Sequence, residues 1–414
     1  MIHFQHPLLQ SLQNEWFEEW SQETLSIQFQ QLFQQKKTPN EIVSYFLPMY
    51  SDILPQKITT YFQYLLRRSP TVEEIDKIQT MCIREHISFQ IIVYQILISY
   101  EYFQQALEPY TPFSIFRIPI EKQFSFYTTV NHGKQKMKEK TMVWTGLIRD
   151  QIQIIPFLQQ RFYEIADQWK EIRFILVENN SKDGTRQALL KWAQQDSRIE
   201  VLGGTTVNAF TSSVSFPATP SHKPVDEVRI SKMAYLRNIY LQYIRMKYAH
   251  YDYCMVTDLD IQGRLYIDGI QHTIGLFEQY PHYDAFAANG CLFYSNQPEE
   301  SYQPMYTSFR MTYYDPFALV EKGKPIVYPD ILTKWSHDRL GVEYGKKLQI
   351  GQGPIPVTSA FAGCCIYKMK SICMNPKMKY DYSPGKFSCE HAHFNKHLVN
   401  MAINPSMMYF ALKH

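Results

Sequence analysis

The chain carries no strong charge of either sign: its formal net charge is +3 over 414 residues. That excludes a nucleic-acid affinity built on phosphate neutralisation, and no nucleic-acid partner is expected. The opening MIHFQHPLLQSLQNEWFEEW lacks a basic stretch followed by an apolar core, so it does not read as a secretory leader. No long apolar run is present either. The longest, FQIIVYQILISY at Phe89–Tyr100, is too short to span a bilayer and contains glutamines, so no transmembrane segment is expected. Cys-x-x-Cys pairs are missing as well, and of the seven cysteines only Cys364 and Cys365 are adjacent. This argues against a zinc site or a disulfide framework and for reduced thiols in a soluble, cytoplasmic protein. What the chain does have is core material: 45% hydrophobic residues, 15% aromatics and 30 tyrosines.

The length predicts two domains. Residues 1–110 read as a helical module, with apolar positions three and four apart and glutamine-rich polar faces. Thr38-Pro-Asn-Glu and Ser69-Pro-Thr-Val-Glu-Glu have the cap, proline and acids of helix starts. Residues 111–140, ending in the basic NHGKQKMKEK, read as a linker or exposed turn. From 141 to 414 the pattern changes. TMVWTGLIRD, EIRFILVEN and RIEVLG are strand-like and alternate with the helical PFLQQRFYEIADQW and DGTRQALLKWAQQ, which predicts an α/β domain with a parallel sheet. Residues ~204–230 lack periodicity and are rich in Ser, Thr and Pro, as suits a long loop or active-site lid.

Two segments bear chemistry. In YDYCMVTDLDIQG an apolar strand delivers Asp258 and Asp260, whose spacing of two puts both carboxylates on one face. Such a pair repels itself unless a hard divalent ion, Mn²⁺ or Mg²⁺, lies between, although a solvated acidic turn has the same pattern. In VENNSKDGTRQALLKW, Glu178 closes a strand, and Ser181, Asp183 and Gly184 lead into a helix. Anions bind at such strand ends and helix starts, and an ordinary capped turn looks alike.

MVWTGLIRD, FILVENNSKDGT, ISKMAYLRNIYLQYI and YDYCMVTDLD, in this order, resemble the GT-A glycosyltransferases, in particular the fungal capsule-associated α-mannosyltransferases and more broadly the family 2 enzymes. The resemblance covers about residues 140–400 and implies a Rossmann-like GT-A sheet with helices on both faces. It implies further that Thr145 to Arg149 line the nucleotide, with Glu178 near the base or ribose and Asp183 behind it. Arg237 and Asn238 would face the diphosphate or donor sugar, and Asp258 and Asp260 would hold the metal. Tyr313-Tyr314-Asp315-Pro316 matches a segment that shapes a sugar pocket, and Gly363 lies where substrate approaches the backbone. In KFSCEHAHFNKHL, Glu390 takes the place of an acid near the acceptor. His391 or His393 is a candidate third metal ligand, and the spacing does not decide between them; the fungal enzymes have Glu-Cys where this chain has Cys389-Glu390-His391. Residues 61–103 resemble a helical module related to phycobilisome linkers, in which arginine replaces the usual glycine; it would dock a partner.

The expectation is thus a metal-dependent transferase that moves a sugar, mannose from GDP-mannose if the fungal likeness holds, to an acceptor hydroxyl on an unidentified glycan, lipid or protein. A retaining reaction needs no strong base beside the acceptor; an inverting one needs a carboxylate, for which Glu390 and Asp315 are the candidates. Two competing readings are a haloacid-dehalogenase-type phosphatase, whose loop Asp-Leu-Asp-Ile imitates but which places Thr or Val where Gln262 stands, and a non-catalytic interaction protein, which would be expected to lose one of the acids.

Overall fold

A computed structural model of the chain describes residues 31–84 (apart from 33, 36, 38 and 67), 92, 118, 120–203, 227–259, 265–294, 310–324, 348–382 and 389–411. The chain divides into two compact units, Met1–Ala106 with Phe293–Arg310, and Leu107–Leu292 with Met311–His414.

In the first unit, helix α1 (Pro39–Leu65) buries Leu54, Ile58 and Phe62, four residues apart along one face. Helix α2 (Val72–Ile83) buries Ile78 and Cys82. Its start is the expected one. Thr71 Oγ1 accepts from the Glu74 amide at 3.2 Å while Glu74 Oε2 accepts from the Thr71 amide at 2.8 Å, a reciprocal cap. Arg68 forks onto the same carboxylate at 2.7 and 2.8 Å and holds its pKa down to about 2.

The second unit contains, in order, α3 (Ile120–Met137), β1 (Thr141–Ile148), α4 (Ile155–Ala166), β2 (Glu171–Glu178), α5 (Thr185–Gln195), β3 (Ile199–Leu202), α6 (Glu227–Lys247), β4 (Tyr253–Thr257), α7 (Ile267–Gln279), β5 (Ala285–Tyr294), β6 (Arg310–Tyr313), β7 (Val320–Glu321), β8 (Ile355–Ser359), β9 (Cys364–Lys368), α8 (Met369–Met374), α9 (Glu390–Asn395) and β10 (Met401–Ala411). The α/β class is the expected one. The strands form one sheet in the order β3-β2-β1-β4-β9-β5-β10-β8-β7, with β6 beside β5. Strands β3, β2, β1 and β4 run parallel, as their near-continuous burial demands: a strand covered on both faces has no place for alternation. Beyond β4 the sheet is mixed, because β9 is antiparallel to both β4 and β5. The chain winds outward through β2 and β3, then returns to β4 on the other side of β1. Ligand crevices form at such a switch point, at the carboxyl ends of the strands.

An aromatic core lies under the parallel half. Trp144 stacks on Phe174 with ring centres 4.4 Å apart, Phe162 stacks on Phe174 at 5.4 Å, and Trp192 meets Phe174 edge-on at 5.8 Å. Trp144 Nε1 donates to Thr257 Oγ1 at 2.7 Å, so this buried ring also ties β1 to the last residue of β4.

The segment read as a linker is corrected by the structure. Residues 120–137 are the helix α3, which packs on α7 with Phe126, Thr129 and Val130 buried. The polar run NHGKQKMK hides this helix because, between the buried Val130 and Met137, its contact with α7 is made by a glycine: Gly133 lies against the Gln271 carbonyl, and Gly275 of α7 against that of Thr129. Among the described residues, no helix is long and apolar enough to cross a membrane.

The glycine contact predicts the effect of a single methyl group. A Cβ at position 133 overlaps the Gln271 carbonyl and comes within 2.7 Å of the Gly275 amide. Gly133→Ala should therefore lower stability by about 1–3 kcal/mol in urea unfolding, despite alanine's better helix propensity. The exposed Ser125→Ala is the control, and equal midpoints for the two variants would refute the packing account.

Candidate active site

Two loops form one lip of the crevice, and hydrogen bonds lace them together. After β1, the Asp150 amide donates to Ser181 Oγ at 2.9 Å, the Gln151 amide to Thr185 Oγ1 at 2.8 Å and the Ile152 amide to Asp183 Oδ2 at 2.9 Å. In return the Lys182 amide donates to Asp150 Oδ1 at 2.7 Å. Glu178 is buried at the end of β2, its oxygens taken by the Ser181 amide at 2.5 Å and Arg186 Nη1 at 2.7 Å. Asp183 Oδ1 accepts from the Thr185 hydroxyl and amide at 2.6 and 3.0 Å, and the hydroxyl bond leads in lowering its pKa. Glu178 and Asp183 therefore shape the loops with the same oxygens that the sequence offered to a ligand. Arg149 stands exposed at the tip, paired with Asp150 at 3.0 Å. Half-buried Lys232 of α6 has its pKa lowered by burial and then by the charge of Arg149, so two cations face this lip.

At the centre lies Arg237 of α6, which is 3% exposed. Its Nη2 donates to Asp258 Oδ1 at 3.1 Å and its Nε to Glu390 Oε1 at 3.2 Å, while Nη1 has no hydrogen-bond partner among the described residues. The guanidinium lies over Phe361 and Tyr380, 5.3 and 5.9 Å from the ring centres. Burial works against its charge, but Tyr240, Asp258 and Glu390 hold its pKa well above the usual value. Asp258 is fixed by its backbone: its amide donates to the Gly363 carbonyl at 2.9 Å, and its carbonyl accepts from the Tyr409 hydroxyl at 2.8 Å.

Asp315 joins the cluster from the turn after β6. Burial, then the charges of Asp258 and Glu390, push its carboxyl well above the usual carboxylate range, against the pull of Arg237. The carboxyl groups of Asp258 and Glu390 thus share one guanidinium, and Asp315 feels the charges of all three. His391 stacks on Phe361 with ring centres 3.7 Å apart, and neither ring nitrogen has a partner among the described residues. Burial and the charge of Arg237 keep it neutral.

Among the described residues, the non-glycine residues with positive φ are Asp150 (50°), Asn180 (54°), Asp315 (57°) and Ala362 (53°). They lie after β1, after β2, after β6 and just before β9. This is the carboxyl edge of the parallel strands, where Thr257 of β4 pairs with Cys364. Backbone strain of this kind gathers at functional sites.

The structure brings together Arg237, Asp258, Glu390, Asp315 and His391. It moves others away. Thr145 is buried inside the sheet, its hydroxyl donating to the Ile175 carbonyl at 2.8 Å, so it does not line a nucleotide. Asn238 clamps the Tyr380 backbone instead of facing a ligand, donating to its carbonyl at 2.8 Å and accepting from its amide at 2.9 Å. His393, two residues past His391, has its Nδ1 3.1 Å from Lys396 Nζ, and burial and that lysine lower its pKa. On a helix, residues two apart do not share a face, which separates the two histidines. Asp260 and residues 204–226 lie outside the described residues. Sequence reasoning missed Phe361, Tyr380 and Lys232. The first two gave only the signal of ordinary core residues, while Lys232 stands five residues before Arg237 on the motif helix.

The model of the glycosyl transferase family 2 matches residues 155–210, from α4 past β3, which is less than half of the chain. No curated protein matches. Among solved structures, TarS residues 1–349 from S. aureus is 13% identical, with a TM-score of 0.35 over 66% of this chain and 60% of that one. The mannosyltransferase PcManGT from Pyrobaculum calidifontis, in complex with GDP-Man and Mn²⁺, is 9% identical, with a TM-score of 0.34 over 70% and 66%. GalNAc-T7 with UDP, GalNAc and Mn²⁺ is 7% identical, with a TM-score of 0.36 over 74% and 57%. The chain thus spans 60% of the first of these, and at such TM-scores the likenesses bear no weight on activity.

The Asp315 environment has a consequence for stability against pH. Its folded pKa lies above the unfolded value of about 3.9, so the native state holds the extra proton. The stability it contributes is complete below that value and is lost as pH rises towards the folded pKa. Asp315→Asn, which also tolerates φ of 57°, removes this loss, so its urea midpoint should fall less than that of the parent between about pH 4 and pH 7. Parallel profiles would contradict the placement.

Proposed function

We propose that the chain is a metal-dependent glycosyltransferase that moves a sugar from a nucleotide donor to an acceptor hydroxyl. The observation that carries this reading is the cluster of Asp258, Glu390 and Asp315 around Arg237, at the carboxyl edge of a parallel sheet and beside the 155–210 segment. Two carboxylates, Asp258 and Glu390, against one guanidinium leave the buried site short of positive charge, and a divalent cation supplies it. The donor chemistry fits Mn²⁺ or Mg²⁺: hard carboxylate oxygens, and at His391 a neutral imidazole with unpartnered nitrogens. Among the described residues, no three such groups converge closely enough to chelate an ion, so the site needs Asp260 beside Asp258, with His391 as candidate third ligand. When bound, the cation stabilises the negative charge on the departing nucleoside diphosphate.

The residues of the chain divide the remaining work. Arg237, whose Nη1 has no partner among the described residues, offers a donor to a phosphate or sugar oxygen, and Arg149 and Lys232 supply positive charge at the nucleotide lip. Glu390 is the base of an inverting transfer: it sits beside Arg237 and takes the acceptor proton as the hydroxyl oxygen attacks the anomeric carbon. Asp315 holds its proton to higher pH and so suits donation of a hydrogen bond better than acceptance of a proton. Mannose from GDP-mannose rests on the sequence resemblance alone, as does a cytoplasmic setting on the reduced cysteines. Residues 1–110 we assign to docking of a partner.

The test is a panel of nucleotide sugars with Mn²⁺ or Mg²⁺, read by release of nucleoside diphosphate and by thermal shift. Asp258→Asn and Asp260→Asn should each cut divalent-dependent release by roughly 100-fold or more. Glu390→Gln should lower kcat far more than donor affinity. Full activity in the aspartate variants would remove the metal assignment, and a loss confined to donor affinity would remove Glu390 as the base.

A further inference from the structure

Cys389 precedes Glu390 as the N-cap residue of α9, with φ −73° and ψ 138°. It is 3% exposed, and its Sγ lies 3.6 Å from Glu390 Oε2, within reach of an S–H···O bond. The other carboxylate oxygen, Oε1, is the one that accepts from Arg237 Nε. A buried cysteine is usually a small hydrophobe, as Cys254, Cys364 and Cys365 are within the sheet. This one has a carboxylate as its acceptor. We propose that the Cys389 thiol is a positioning residue that donates its S–H to Glu390 Oε2, so that the base is held between a neutral donor on one oxygen and Arg237 on the other. The inference rests on the reading of Glu390 as the base.

The surroundings favour a thiol rather than a thiolate. Burial, Glu390 and Asp315 all push the Cys389 pKa well above the usual thiol value, so the proton needed for donation is present. The charged and titratable groups facing the pair are Arg237 from α6, Asp258 after β4, Asp315 after β6 and neutral His391 on α9 itself. A thiolate would add a further negative charge to a site already rich in carboxylates.

The neutral S–H donor fixes the second oxygen of Glu390 without adding a charge to the cluster, and a methyl group in its place would leave that oxygen loose.

The experiment compares the full chain with Cys389→Ala, Cys389→Ser and Glu390→Gln. The infrared difference between the parent and Cys389→Ala should isolate one S–H stretching band, lying below the position of an unbonded thiol. That band should move up in Glu390→Gln, where the acceptor is a neutral amide. In turnover, Cys389→Ala should lower kcat several-fold with donor KM unchanged, and Cys389→Ser, which restores a donor to Glu390 Oε2, should recover most of that loss, a rescue that loss of packing does not produce. A band at the unbonded position, or a kcat for Cys389→Ala equal to that of the parent, overturns the proposal. The infrared arm needs no turnover. If no nucleotide sugar reacts, the proposed function fails, and the thiol–carboxylate bond is still judged by its band.

Discussion

A single guanidinium joins parts of the chain that lie far apart in sequence. Arg237 on α6 reaches Asp258 at the end of β4 and Glu390 at the start of α9, 153 residues away. Removing one member of such a buried pair leaves an uncompensated charge, a penalty of about 3–5 kcal/mol. The surroundings reflect that constraint. Phe361 and Tyr380 flank the guanidinium, and Asn238, the next residue on α6, clamps the Tyr380 backbone. Tyr380 in turn stacks on Phe394 of α9, ring centres 4.3 Å apart. The helix that carries Arg237 and the helix that carries Glu390 are thereby packed against the same ring.

The sheet sets where this charge cluster can stand. Strands β1, β2 and β4 end at one edge, and antiparallel β9 begins there, bringing the 360–363 turn against Asp258. Room is scarce. A Cβ at Gly146 would come within 2.6 Å of the Leu259 side chain, and one at Gly290 within 2.6 Å of the Ala362 carbonyl. The positive φ angles at Asp150, Asn180, Asp315 and Ala362 lie in the turns that crowd this edge. Each costs of order 1–3 kcal/mol and persists only because the aromatic core and the laced loops over-determine the backbone.

Local signals were legible where local physics decides. The strands and helices of the parallel half follow from apolar runs and periodicity, and the start of α2 from the Thr71–Glu74 cap. Helix α3 escaped because its buried face, Phe126, Val130 and Met137, is interrupted by Gly133, which meets α7 through its backbone. At the site, Arg237, Asp258, Glu390 and Asp315 could be named from motifs because charged residues stand out beside apolar runs. Thr145 and Asn238 could not be separated from them. Whether a hydroxyl or amide faces a ligand or a neighbouring backbone depends on what the sheet places beside it, and here the neighbours are the Ile175 carbonyl and the Tyr380 backbone.

By itself, the sequence determined which chemistry was available: acids at strand ends, an arginine on a helix, and an acid between cysteine and histidine in Cys389-Glu390-His391. Those are properties of neighbours along the chain, and alternation or helical pitch expresses them directly. Only the tertiary structure decided which groups share a site. It spent the oxygens of Glu178 and Asp183 on their own loops, left Arg237 Nη1 and both His391 nitrogens without a partner among the described residues, and put a thiol on the second oxygen of Glu390. The reason is physical: a hydrogen bond or a Coulomb interaction depends on distance and burial, and between residues 150 apart neither exists until the sheet has closed the gap.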